Sequence, residues 1–150
     1  MRFALLFLVM TFSMPLAHGQ EAKKPVPDEN VLARLVWSSM VALDNANRTN
    51  NYEVFHAIGS PGFRENYSVD DLRTTFAGLR EGRVDIGRAV MTTPTYYLAP
   101  GFDENGFLRL RGAFEFRPNA IRFDILYRQV GGGWRIEAIS VAEMPFDAPR

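Results

Sequence analysis

Four side chains in this sequence have the chemistry to move a proton: Asp44, His56, Tyr97 and Tyr127. A general acid or base needs a carboxylate, imidazole or phenol held beside a substrate, with its pKa moved by burial. His56 is one of two histidines, and the other, His18, falls in an apolar leader. Each group also has a plainer reading. His56 sits beside Phe55, off the apolar stripe of its helix. Asp44 adjoins the Asn-rich segment 45–51, and Tyr127 closes the apolar row Ile121, Phe123, Ile125.

Metal and nucleophile chemistry find no support. Without cysteine, and with one histidine beyond the leader, no zinc set or His-Glu-x-x-His pair can be assembled. Asp103-Glu104-Asn105-Gly106 lacks the alternating oxygens and the following glutamate of a calcium loop. No Gly-x-Ser-x-Gly elbow is present, and Gly131-Gly132-Gly133 lacks the Lys-Ser/Thr and helix of a phosphate loop. No cofactor is expected.

A second group is cationic. Arg109, Arg111, Arg117, Arg122 and Arg128 alternate with apolar residues on two neighbouring strands, so they share a face with Asp124, Glu115 and Glu137. Arg109, Arg111, Arg122 and Arg128 are the candidates for binding an anion or acidic partner. The alternative is a solvated face with cross-strand ion pairs. Leu126 and Ala113 make that face partly apolar, which would suit a homodimer packed through its sheets.

The elements that must position these residues are legible from periodicity. Leu32, Leu35, Val36, Met40 and Leu43 recur at helical spacing after a capping Asp28, and Trp37, Val41 and Asp44 form an adjoining stripe. A short second helix spans residues 52–58 and stops at Gly59-Ser60-Pro61-Gly62. Ser68 and Asp71 make a capping box for a third helix running to Gly82. Edge strands are expected around 88–91 and 95–98, interrupted by Pro94. Residues 107–116, 121–130 and 134–142 then read as three antiparallel strands with period two, joined by Arg117-Pro118-Asn119 and by the glycine triplet. In the last strand Trp134 and Ile136 share one parity while Ile139 and Val141 share the other, which predicts a bulge near Glu137-Ala138.

Arg2, the apolar run Phe3–Met10, and Ala17 and Gly19 before Gln20 read as a secretory signal peptide over residues 1–19. Its removal leaves one fewer basic residue than the 17 acidic ones, a balance that recruits neither nucleic acid nor an anionic membrane. The expected organisation is signal peptide 1–19, flexible lead-in 20–27, one domain 28–143 and a tail 144–150, working in the periplasm or secreted. No membrane insertion is expected of the mature chain.

Three helices followed by antiparallel strands make an α+β fold. The long helix 28–47, the short helix carrying Tyr52-Glu53-Val54-Phe55, the acidic-capped third helix and Gly133-Trp134-Arg135-Ile136 after a glycine hairpin carry a resemblance. In this layout the chain resembles the nuclear-transport-factor-2-like (cystatin-like cone) superfamily, and in particular exported bacterial members with no assigned activity. The resemblance implies helices packed on a curved sheet around a cavity, with candidate pocket residues Trp37, Met40, Asp44, His56, Tyr97 and Tyr127. Catalytic members pair an inward aspartate with a sheet histidine. Here no strand carries a histidine and Asp124 alternates outward. The reading is therefore an exported, non-catalytic binding or accessory domain for a small apolar ligand. The alternatives are a small acid–base enzyme and a protein-interaction module using the arginine face.

Overall fold

The computed structural model describes residues 24–149. The signal-peptide reading of residues 1–19 lies outside them. Among the described residues no helix is long and apolar enough to cross a membrane.

The chain forms a helical layer and then one sheet, an α+β architecture. α1 (Glu29–Thr49) begins where the Asp28 carboxylate accepts from the Val31 amide at 3.0 Å, and it ends at Asn50 in the left-handed conformation. Its stripe of Leu32, Val36, Met40 and Leu43 is buried. α2 (Glu53–Ala57), α3 (Pro61–Asn66), α4 (Val69–Thr75) and α5 (Ala77–Glu81) follow. A 3₁₀ helix occupies Ile86–Met91.

Three expectations are corrected here. Among the described residues the helical layer holds five α-helices rather than three. Ser60 and Pro61, read as a stop, also start α3, because the Ser60 hydroxyl accepts from the Phe63 amide at 3.0 Å. The third helix divides at Phe76, whose ring is buried parallel to Tyr52 at 6.2 Å and edge-on to Phe55 at 5.9 Å. The preceding Thr74 and Thr75 are poor helix formers, so packing of that ring decides the local backbone. Residues 88–91 are not an edge strand. Ile86 and Ala89, three apart, both bury, and the 3₁₀ helix eclipses that spacing onto one side.

The sheet is antiparallel, in the order β1 (Thr95–Tyr96), β3 (Leu108–Phe114), β4 (Asn119–Val130), β5 (Gly133–Pro145), with β2 (Gly101–Phe102) also pairing with β3. Gly131 and Gly132, at φ 57° and 80°, form the two-residue turn between β4 and β5. Within the segment 144–150 read as a tail, Met144 and Pro145 continue β5, and the Phe146 amide then donates to Pro118 O at 3.0 Å.

The cone expectation fails at the sheet, which is neither curled nor closed. Curvature comes from repeated bulges and glycine kinks, and the long β3–β4–β5 ladder has one register shift, between Leu126 and Tyr127. Among the described residues one edge ends in two-residue strands and the other in β5, and no strand pair joins them. The fold is an open-sheet α+β domain, and the resemblance to the nuclear-transport-factor-2-like cone does not hold.

Leu110, Phe114, Ile121, Phe123, Ile125 and Tyr127 face the helices and are at most 3% exposed. They meet the α1 stripe and the aromatic group Tyr52, Phe55, Phe63 and Phe76 in one core. Each such side chain contributes about 1.5–3 kcal/mol on burial.

Candidate functional site

The six candidate pocket residues do not frame one cavity. Met40 is fully buried, and Tyr127, 2% exposed, is held by its hydroxyl, 2.8 Å from Ser39 Oγ and 3.0 Å from Leu35 O. Burial pushes the Tyr127 phenol well above its usual range, more than the Ser39 bond lowers it. Asp44 is buried and engaged, accepting from the Gly87 amide at 3.1 Å, with Arg48 at 3.7 Å. His56 Nε2, in the last turn of α2, lies 3.3 Å from Arg64 O in α3. Tyr97 lines a hollow with Arg111, Arg122, Asp124 and Ser140, on the face of the sheet away from the helices. Met40 belongs to the buried stripe of α1 and Tyr127 ends the apolar row of β4, both consumed by the core, while Tyr97 follows a two-residue strand at the sheet's edge.

Of the six, Asp44 borders a hollow of about 300 Å³ beside Arg48, Arg80 and Arg83, and Trp37 lines a larger groove. This groove, about 680 Å³, runs along the outer side of α1 and against α2. Trp37, Val41 and Asn45 stand at i, i+4 and i+8 on α1, so helical spacing aligns them along one wall. The indole N–H donates to Thr92 O at 3.0 Å, which fixes the Trp37 ring against the end of the 3₁₀ helix. Phe55 forms part of the floor, and Val54 beside it is 72% exposed. Val41 is 40% exposed. The polar lining consists of Ser38, Asn45, Thr49 and Asn51, and no lining residue ionises. Val41 is legible in the Trp37 stripe but not named as lining a pocket, and Asn45, which continues that row, is not singled out. Val54 has no such signal beyond an unsatisfied apolar side chain next to Phe55.

The arginine face resolves into pairs. Arg109 is bidentate on Asp124 at 2.9 and 2.5 Å. Arg128 is bidentate on Glu137 at 2.8 and 3.0 Å. Glu137 is the bulged residue itself, since Leu126 pairs with Ala138 and Tyr127 with Ile136. Its burial opposes ionisation, but the bonds from Arg128 and Ser60 outweigh that and hold the carboxyl below its usual range. Arg122 donates to the carbonyls of Pro149, at 2.5 Å, and Ala148. Arg111 reaches only to 3.9 Å from Asp124.

Among the described residues no cluster of His, Cys, Asp and Glu is placed to hold a metal ion. Comparison with protein-family models, characterised proteins and solved structures finds no match to the chain. Any functional reading therefore rests on the chemistry of the surfaces themselves.

Proposed function

We propose that the protein is an exported, non-catalytic binding domain that takes a small apolar ligand in the groove beside Trp37. The observation that carries the proposal is the chemistry of the lining. Trp37, Val41, Ala42, Val54 and Phe55 offer apolar surface, and the polar residues around them are all neutral. Ligand sites combine mainly apolar walls with a few polar groups that fix orientation. Acid–base catalysis needs a titratable group at the substrate; of the four candidates, Asp44, His56 and Tyr127 are bonded elsewhere and Tyr97 lines a different hollow. Export is part of the same proposal and rests on Arg2, Phe3–Met10, Ala17 and Gly19.

A homodimer through the sheet is the less favoured partner reading. The outward face is divided by the Arg109–Asp124 and Arg128–Glu137 pairs, and a partner's sheet would have to desolvate them.

Binding of the neutral fluorophore N-phenylnaphthylamine to the mature chain tests the reading. Saturable enhancement that disappears in Val54→Asp, with the far-UV circular dichroism unchanged, is expected. Equal enhancement in the variant would place the fluorophore elsewhere and remove the groove from consideration.

A further inference from the structure

We infer that the outward face of the sheet carries a second site, for the carboxylate or phosphate group of a small anionic ligand, between Arg111 and Arg122. The four arginines singled out from the sequence have different duties in the fold. Arg109 and Arg128 each have both branches of the guanidinium committed to one carboxylate. Arg111 and Arg122 do not.

Arg111 stands opposite Asp124, and Arg122 opposite Ala113, so the two side chains lie diagonally on neighbouring strands and face the same way. The closest approach of Arg111 to Asp124 is 3.9 Å, to an oxygen that already accepts from Arg109. That distance is too long for a hydrogen bond. The acceptors of Arg122, Pro149 O and Ala148 O, are neutral, and its buried Nε has no partner. Both guanidiniums line a hollow of about 240 Å³, in which Asp124 is the one carboxylate. Asp124 is shared between Arg109 and Arg111, so two guanidiniums and one shared carboxylate give the hollow a positive lining.

The recognition chemistry follows from these donors. A guanidinium fork matches two oxygens of a carboxylate or phosphate, and Arg111 offers such a fork. Arg122, whose two terminal nitrogens already donate to the tail, adds positive charge and their remaining N–H groups diagonally across from it. Ser140, which pairs with Asp124 across the β4–β5 ladder, adds a hydroxyl to the lining. Tyr97 forms the far wall, with the Arg122 guanidinium carbon 5.9 Å from its ring centroid. The two tail carbonyls hold the Arg122 guanidinium in place, so less side-chain freedom is lost when an anion binds. The volume admits a small mono- or dicarboxylate, or a phosphate group, rather than a nucleotide. This site lies across the sheet from α1 and stands independently of the apolar groove.

Calorimetric titration of the mature chain with succinate and, separately, inorganic phosphate at low ionic strength tests the assignment, and the two arms tell carboxylate from phosphate preference. Saturable binding of at least one anion is expected, weakened about tenfold or more in Arg111→Gln and diminished by added salt. Arg128→Gln should bind as the parent does. Arg122→Gln should also lose binding, but it releases the tail as well, so Arg111→Gln, which breaks no backbone bond, decides. No saturable binding of either anion overturns the site. So does binding that Arg111→Gln leaves intact, or that Arg128→Gln weakens equally.

Discussion

The Ser60 hydroxyl donates to the Glu137 carboxylate at 2.5 Å, across 77 residues of sequence. Ser60 also caps α3 through the Phe63 amide, and its own N–H donates to Ile136 O at 2.8 Å. The elbow between α2 and α3 is thereby fastened to the bulge of β5, and Arg128 clamps the same carboxylate from the other side. The bulge matters for this reason. Without the extra residue, position 137 would pair in the ladder, and the parity of Ile139 and Val141 would turn outward.

Ser60→Ala should therefore cost more than a cap alone. A lost N-cap costs about 1 kcal/mol, and a lost hydrogen bond to a charged, half-buried carboxylate about 1.5–3 kcal/mol. Because one hydroxyl makes both contacts, the sum is an upper bound, and about 2 kcal/mol is expected from urea denaturation. A change no larger than that of an ordinary surface substitution would show that the junction is not stabilising.

Acid should weaken the same junction. The Glu137 carboxyl titrates below its unfolded value near 4.5 in the native protein. A group with a depressed folded pKa contributes stability that is complete above the unfolded value and is lost as pH falls through the folded one. Glu137→Gln should be less stable at neutral pH yet decline less steeply on acidification below about 4.5. Urea midpoints of both proteins across that range check this, and parallel curves would assign the acid sensitivity to other carboxylates.

Tyr127→Phe removes a buried hydroxyl but leaves Ser39 bonded to Leu35 O at 3.0 Å, so a loss of about 1 kcal/mol is expected. Its phenol titrates above the unfolded 10.0, chiefly through burial. Stability is complete below that unfolded value and is lost as pH rises beyond it, because only the unfolded chain then ionises freely. The variant should lose less stability in alkali than the parent, as read from thermal unfolding on either side of that value. A steeper alkaline loss in the variant would contradict the assignment.

Gly112→Ala tests the sheet edge. A Cβ at this position would stand 2.0 Å from Thr95 O and 2.9 Å from the Thr95 carbonyl carbon. Because both are backbone atoms, relief requires β1 to move away from β3. Overpacking of this kind costs about 1–3 kcal/mol. Amide exchange at Tyr97, whose N–H donates to Arg111 O at 2.9 Å, should accelerate in the variant. Unchanged exchange would mean that β1 is not seated as described.

Local signals in the sequence reported local structure well. The helical spacing of Leu32, Val36, Met40 and Leu43, the Ser68–Asp71 box, the Gly131-Gly132 turn and the parity slip after Ile136 each depend on neighbours within a few residues. The break at Phe76 depends on Tyr52 and Phe55, at the start of and within α2, more than twenty residues earlier in the chain. Whether a sheet closes depends on which strands pair, and alternation within a strand is silent on that. The site fared accordingly. Trp37 was legible as an aromatic off the main stripe, but Tyr127 and Met40 look the same in sequence whether they line a cavity or fill a core. The division of the arginines depended on register, because Asp124 lies opposite Arg111 yet bonds the diagonal Arg109.

The most direct test of the binding groove uses Trp37 as its own reporter. Trp134, the other of the two tryptophans, lies against Phe102 at the β4–β5 turn, so Trp134→Phe leaves Trp37 as the sole emitter. Titration of that protein with n-octanol should shift Trp37 emission to shorter wavelength with a saturable dependence and protect it from acrylamide quenching. The shift should vanish when Val54→Asp is added. Emission that changes only linearly with octanol, or that saturates identically with Val54→Asp present, would contradict the assignment of the α1–α2 groove as the ligand site.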